Sequence, residues 1–429
     1  MLDIKIIREK PDLVKENLKK RHDPELLKMV DNLVVSDKKW RDAVSQMNNL
    51  NQERNKISLE IAKAKKAGKP ADKLMKDAAK IPEEIKSLEK EAAELEEKNK
   101  TLLMKLPNLL HESVPYGKDD TENVELKKVG KPPKFNFEPK NHLEILEGLG
   151  MIDLERAAKI AGHGFYFLKG DAVILDLAIQ RFALDLLRKR GFTIVEPPLM
   201  MRKEAYLGVT DLDFFGDQLY KVEGEDFYLI ATSEHPMIAG PMNEVLNKND
   251  LPIKWAGVSP CFRKEVGAHG KYTKGLFRVH QFNKVEQIVF CLPEYSWKIL
   301  EELQKNSEDL YQALGLHYRV VNVCTGDIGI IAAKKYDTEV WMADDQFREI
   351  GSNSNCTDYQ ARRLNIKFKE GEGKPAAGFV HTLNNTALAT SRTMLAILEQ
   401  FQQKDGSVKI PKVLVPYTGF DILKEPDKK

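Results

Sequence analysis

Three separated segments carry arginines, carboxylates and aromatic rings at spacings that a hydrophobic core does not ask for. The first is Cys261-Phe262-Arg263-Lys264-Glu265, followed after a glycine-punctuated stretch by the run Leu276 to Glu286. Alternation with period two puts Phe282, Lys284 and Glu286 on one face of a strand. Such a face is either a binding floor or one side of an exposed hairpin whose Arg and Glu pair across strands. The second segment, Arg348 to Cys356, is polar and short-chained, and its Glu349 and Ser352 offer hard oxygens to a cation. The third runs from Thr382 to Arg392 into the apolar stretch Met394 to Leu398. An arginine at a helix start opposes the helix dipole and asks for an anionic partner. Two arginines, at least three acids and an aromatic platform suit an adenine nucleotide with its phosphates and magnesium. His235, His269, His280 and His381 lie near these segments, but their spacing fits no ligand set, and structural or solvent-facing roles are expected.

The elements that must position these residues start near residue 141. A helical stretch from Asp171 to Lys189 is followed by strand-like runs at Phe192–Val195, Phe227–Ile230, Lys284–Phe290, Tyr318–Val323 and Thr338–Met342. Neighbouring strands with irregularly spaced helices predict an α+β body with a mainly antiparallel sheet flanked by helices. No Walker sequence or GxGxxG follows any of them, which argues against a P-loop or a dinucleotide fold.

Upstream, apolar residues recur in steps of three and four. One seam runs through Leu33, Trp40, Ala43, Met47, Leu50, Ile57, Ile61 and Ala64, interrupted by Ser36 and Arg54. The other runs through Leu74, Ala78, Ile81, Ile85, Leu88, Ala92, Leu95, Asn99, Leu102 and Leu106. Both are heptads. Ala67-Gly68-Lys69-Pro70 between them predicts a turn, hence an antiparallel helical hairpin, a coiled-coil arm roughly 50 Å long. Pro82 predicts a kink or a fresh helix start, the latter favoured by Glu83 and Glu84. Lys63, Lys65, Lys66, Lys69 and Lys73 crowd the bend, where they would attract phosphate. The alternatives are a dimerisation coil or spacer whose lysines merely solvate it. Prolines and glycines between 107 and 140 predict a linker or short surface elements. The expected division is therefore an arm over 1–110, a linker over 111–140 and a catalytic body over 141–429.

With 67 basic and 65 acidic residues in 429, the net charge of +2 argues against a uniformly basic nucleic-acid binder, though local basic patches stay open. The four cysteines, Cys261, Cys291, Cys324 and Cys356, form no CxxC pair. Buried free thiols are expected, with neither a disulfide framework nor zinc. No apolar run approaches the ~18 residues of a membrane span and no signal-peptide core opens the chain, so the cytoplasm is the default compartment and no membrane partner is expected.

Over essentially its whole length the chain resembles the seryl-tRNA synthetases, a family of class II aminoacyl-tRNA synthetases. The hairpin is similar to that family's long arm. Gly191 to Pro198 resembles class II motif 1, Phe262-Arg263-x-Glu265 motif 2, and Asn384 to Arg392 motif 3. More specific to the serine family are Thr232-Ser233-Glu234, Gln281-Phe282-x-Lys284-Val285-Glu286 and Arg348-Glu349-Ile350-x-Ser352. The Asn355-Cys356-Thr357-Asp358 run looks closer to archaeal and eukaryotic members than to bacterial ones.

The resemblance implies ATP-dependent formation of seryl-adenylate and transfer of the seryl group to the 3′ end of tRNA(Ser), leaving open whether tRNA(Sec) is charged too. It assigns catalysis to Arg263, Glu349 and Arg392. ATP binding falls to Arg263, Lys264, Glu265, Val279, Phe282, Glu349, Ile350, Gly351, Ser352 and Arg392, with magnesium on Glu349 and Ser352. Phe282 would stack on adenine, Arg263 hold the α-phosphate, Glu265 meet the adenine amino edge and Arg392 lie near the γ-phosphate. Serine binding falls to Thr232, Ser233, Glu234, Arg263, Glu286 and Thr386. The arm lysines would meet tRNA, and motif 1, within Asp171 to Pro198, would build a homodimer interface. Two departures stand out: Ser233 occupies a position commonly alanine, and Lys274 one expected to be arginine. Competing readings are an RNA-tethering protein with a degenerate synthetase domain, and a ligase loading a carrier protein. The retained Arg263, Glu265, Glu286, Glu349 and Arg392 speak against the former and the long arm against the latter.

Overall fold

Asp23 opens the longest helix, its carboxylate accepting from the Glu25 amide at 2.9 Å with Pro24 in the first turn, where its missing N–H costs nothing. The computed structural model describes residues 1–265 and 276–425. The chain divides into two compact units, Met1–Leu109 and Leu110–Lys429.

In the first unit, two short helices, α1 (Ile4–Glu9) and α2 (Pro11–Lys19), precede α3 (Pro24–Lys66) and α4 (Asp72–Lys105). The short helices bury Ile7, Val14 and Leu18 with Val30 and Leu33 of α3. Arg8 clamps buried Asp37 through Nε at 2.7 Å and Nη2 at 2.6 Å, and Arg41 adds a bond at 3.0 Å. Burial would push the Asp37 carboxyl up, but the two guanidiniums outweigh it and hold it low. The hairpin has the predicted seam. Leu33, Ala43, Ile81, Ile85, Ala92 and Asn99 are buried along it. The turn follows the predicted chemistry: Gly68 takes φ +66° and the Lys69 amide returns to the Ala64 carbonyl at 2.9 Å. At ~1.5 Å per residue the 43 residues of α3 span about 65 Å. Pro82 lies inside α4, which runs through it as one helix instead of restarting there.

The second unit is built on an eight-stranded sheet. In chain order its strands are β1 (Val124–Val129), β2 (Thr193–Val195), β3 (Ile253–Phe262), β4 (Gln281–Cys291), β5 (Tyr318–Asn322), β6 (Lys334–Trp341), β7 (Phe347–Asn355) and β8 (His381–Ala389). In space they run β1-β5-β6-β7-β8-β4-β3-β2, every pair antiparallel except β2–β3. The stretch expected as a linker thus supplies the edge strand β1, and the rest of 110–140 belongs to the second unit. Its prolines break helices, as the sequence suggests, but they do not prevent an edge strand, whose ladder is needed on one side alone.

Helices cover the sheet: α5 (Asp171–Lys189), α6 (Glu234–Ala239), α7 (Ser296–Ala313) and α8 (Thr390–Gln400). The main core joins Leu175, Ile179 and Leu187 of α5, Leu303 and Leu310 of α7 and Met394 to Leu398 of α8 to the strands. All four cysteines are buried thiols, with no disulfide among the described residues. Among the described residues no helix is long and apolar enough to cross a membrane.

Candidate active site

The central strands β3, β4, β7 and β8 present a two-lobed cleft, whose lobes share Arg263, Lys284, Glu349 and Thr386. Strand alternation explains the floor, since Phe282, Lys284 and Glu286 all face it, as the spacing predicts. One lobe is lined by Phe277, Val279, Phe282, Glu265, Ile350, Gly351 and Arg392. There the Arg263 guanidinium lies 5.2 Å from the Phe282 ring centre, and that of Arg392 lies 4.7 Å from the Phe277 ring. Arg263 Nε donates to the Ala231 carbonyl at 3.2 Å. Arg392 donates through Nε to the Phe277 carbonyl at 3.3 Å and through Nη1 to the Glu349 carbonyl at 2.8 Å. Each arginine is thus fixed by backbone acceptors and a ring. Gly351 sits at a close approach: a Cβ there would meet the Thr386 carbonyl oxygen at 3.0 Å, and the backbone would have to give by a few tenths of an ångström.

The other lobe gathers Thr232, Glu234, Glu286, Thr386, Ser352, Ser354, Cys356 and Asn384. Lys284 and Glu286 form an ion pair at 2.5 Å, both almost wholly buried. Thr386 Oγ1 donates to Glu286 at 3.2 Å, and Lys284 Nζ donates to Thr386 Oγ1 at 3.4 Å. Burial, reinforced by the charge of Glu286, pushes the Glu234 carboxyl up to about 7 against the opposing pull of Lys284 and Arg263. Glu286 thus already has an ammonium beside it in Lys284, and Glu234 adds a second carboxyl to the lobe.

Between the lobes stands Glu349. Its side chain is 48% exposed; what desolvation it suffers would raise the carboxyl, but Arg392, Lys335 and Arg263 together hold it below the ordinary range. Ser352 Oγ lies 3.4 Å from Glu349 Oε1 and donates to Asp337 Oδ1 at 2.6 Å. Asp337 in turn pairs with Lys335 at 3.2 Å, while burial pushes its own carboxyl up.

Most of the predicted residues meet in this cleft. Lys264 does not: its ammonium sits 5.8 Å from the Tyr220 ring centre, on the side of the chain opposite Arg263 and Glu265. Ser233 is also absent from the lining. It is buried, packed where a Cβ on Gly257 would lie 3.2 Å from its own, and its hydroxyl has no partner among the described residues. Lys274 and His269 lie outside the described residues. His235 is buried against Tyr206, 3.3 Å from its hydroxyl, and burial with Lys284 and Arg263 lowers it to about 3, so it stays neutral. His280 hydrogen-bonds Tyr220, and His381 shares a 2.8 Å bond with Ser296. Among the described residues no three His, Cys, Asp or Glu could hold a metal together. Sequence reading misses Phe277, Lys335, Asp337 and Asn384 as members of the site. The signal for Phe277 is there, since it shares an alternation with Val279.

An antiparallel sheet whose cleft draws one arginine from the end of β3, another from α8 and acids from β4 and β7 is the core of a class II aminoacyl-tRNA synthetase. The family model of the tRNA synthetase class II core domain (G, H, P, S and T) matches residues 219–401. Residues 1–110 match that of the seryl-tRNA synthetase N-terminal domain. The serine–tRNA ligase of Methanocella arvoryzae is 57% identical over 99% of this chain and 100% of its own. The seryl-tRNA synthetase from Pyrococcus horikoshii, solved with ATP, is 49% identical and superposes with a TM-score of 0.96, covering 100% of both chains. A cytoplasmic serine–tRNA ligase from Naegleria fowleri, solved with AMP, is 36% identical with a TM-score of 0.91, over 100% of this chain and 99% of that one. The chain belongs to the seryl-tRNA synthetase family and is an enzyme, a ligase of serine to tRNA.

Proposed function

We propose that the cleft activates serine with ATP and passes the seryl group to the 3′-terminal ribose of tRNA(Ser). The observation that carries this reading is the cleft's division into a lobe of rings and arginines and a lobe of paired carboxylates, joined at Arg263. In the first lobe the adenine ring stacks on Phe282 beside Glu265, and Arg392 takes the distal phosphates. In the second, Glu234 and Glu286 hold the ammonium of serine, and the Thr386–Glu286 pair meets its hydroxyl. A serine carboxylate oxygen then attacks the α-phosphorus and pyrophosphate leaves. In the second step a ribose hydroxyl attacks the acyl carbon of the adenylate and AMP leaves. No side-chain nucleophile is needed, and catalysis is placement plus charge stabilisation by Arg263 at the α-phosphate. Lys264 acts here through the packing of its strand end on Tyr220, and Ser233 through backbone packing beneath Glu234.

The Glu349 carboxylate and the Ser352 hydroxyl are hard oxygens suited to magnesium, and phosphates and water would complete the coordination. Such an ion would neutralise phosphate charge. Lysines 63, 65, 66, 69 and 73, all exposed at the hairpin tip, are proposed to bind tRNA phosphates. A homodimer is proposed through α5 and the strands after it, where Ile174, Leu177, Ile194 and Met200 stay exposed. The test is serine-dependent ATP–pyrophosphate exchange, expected in the wild-type chain and lost in Arg263→Ala. Exchange with another amino acid and none with serine would overturn the reading.

A further inference from the structure

Thr386 owes its place to an irregularity in β8. The β8–β4 register pairs Asn385 with Gln287 and Thr386 with Glu286, then slips between Thr386 and Leu388. A bulge re-aims the side chains beside it and leaves backbone groups without ladder partners, so something must hold it. The holder is on the other face of the sheet. Alternation turns Gln287 and Asn385 away from the cleft and toward α7, where Asn306 and Ser307 wait, all four 2% exposed or less. The Ser307 hydroxyl donates to Asn385 Oδ1 at 2.7 Å and lies 3.3 Å from the Thr386 carbonyl oxygen. Gln287 Nε2 donates to Ser307 Oγ at 3.4 Å, and Asn306 Nδ2 donates to Gln287 Oε1 at 2.7 Å. The chain of bonds continues to Arg190, just past α5, which is hydrogen-bonded to Asn306 and paired with Asp309 at 2.6 Å.

We infer that Ser307, with Asn306, Gln287 and Asn385, is a positioning device for recognition of the substrate hydroxyl: from behind the sheet it fixes the bulge that aims Thr386 at Glu286. A polar cluster is a costly way to fill a core, the more so here because Asn385 Nδ2 has no partner among the described residues. An apolar helix face would have packed more cheaply against β4 and β8. The residues on the two sides are sequence neighbours, Gln287 next to Glu286 and Asn385 next to Thr386, so movement of the clamp moves the pocket. Ser307 touches no substrate, and its effect belongs to amino-acid binding and selectivity, not to the nucleotide lobe.

This inference rests on the serine reading of the pocket, and the experiment separates the two. Pyrophosphate exchange is measured on full-length wild type, Ser307→Ala and Ser307→Thr, with serine, alanine and ATP varied in turn. Ser307→Ala strips the bulge of its donor and is expected to raise the serine KM about tenfold and cut the preference for serine over alanine by about the same factor, with the ATP KM within about twofold of wild type. Ser307→Thr, which restores the hydroxyl, is expected to recover selectivity. If Ser307→Ala does not fold, Asn306→Ala, which removes the donor to Gln287 Oε1, carries the same expectation. Wild-type exchange with unaltered serine KM and selectivity in the variants would overturn the clamp alone. Equal changes in serine and ATP parameters together with lowered thermal stability would overturn it as well, by showing general loosening. A wild type with no serine-dependent exchange would overturn the reading of the pocket itself.

Discussion

Arg263 stands where the two lobes meet, and its planar guanidinium is already aimed by the Ala231 carbonyl and the face of Phe282. A lysine there keeps the charge and loses both the fork and the stacking. Arg263→Lys is therefore expected to lower kcat for pyrophosphate exchange by about 100-fold, with the serine KM changed far less, as read by steady-state kinetics. Glu234 supplies a pH dependence. Burial and the Glu286 charge raise its carboxyl to about 7 in the free cleft, so below that pH it carries a proton and cannot attract an ammonium. As pH rises from about 6 to about 8 the group ionises, and kcat/KM for serine is expected to climb. Glu234→Gln, uncharged at every pH, should lose most of the activity and flatten that limb. A limb that survives in Glu234→Gln assigns the titration elsewhere. The spacing of Phe282, Lys284 and Glu286 is legible because a strand's alternation is written in the sequence. Past Phe262 the strand ends and Glu265 turns to φ +50°, so alternation no longer says on which side Lys264 lies. Lys335 and Asp337 reach the site from β6, the strand beside β7, where Asp337 is registered opposite Ser352, and no local pattern announces a cross-strand neighbour.

At the scale of elements, α5 follows its predicted bounds from Asp171 to Lys189 and buries Leu175, Ile179 and Leu187 on one side. Its other side exposes Ile174 and Leu177, three residues apart and so on one stripe, with 40% and 54% of their surfaces open. Apolar residues on such a stripe need a cover. Leu177→Asp is expected to convert a homodimer into a monomer in light-scattering chromatography while leaving the circular dichroism spectrum unchanged. A wild-type mass of one chain would refute the interface. The helices of the arm are legible through heptads, which report the seam between α3 and α4. The start of α3 at Pro24, nine residues before Leu33, and the whole of α1 and α2 are not, because these helices bury Ile7, Val14 and Leu18 in a local cluster too short to establish a period. Pro82 has the look of a boundary in the sequence and is not one. The residues around it supply enough packing along the seam, Ile81 and Ile85 both buried, to carry the helix through one missing donor.

For the whole molecule, a net charge of +2 hides a division of labour between the two units. Acids of the body, Glu234, Glu286 and Glu349, are set around the cleft, whereas Lys63, Lys65, Lys66, Lys69 and Lys73 sit exposed around the tip of the arm. Met1–Leu109 carry 25 basic and 20 acidic residues and Leu110–Lys429 carry 42 and 45, so most charge cancels within each unit and composition is silent about its local placement. If the tip lysines meet tRNA phosphates, replacing all five with alanine abolishes the counterion release that those ion pairs drive. The log–log dependence of tRNA affinity on salt should then flatten by roughly one unit for each phosphate that is no longer neutralised. Charging at moderate salt should fall while serine-dependent pyrophosphate exchange, which uses the body alone, stays as in wild type. Deleting residues 33–106 should have the same signature in stronger form, with adenylate made and not passed to tRNA. Charging that survives the deletion would instead reduce the arm to a spacer, and exchange lost along with charging would show that the body depends on the arm for its own integrity.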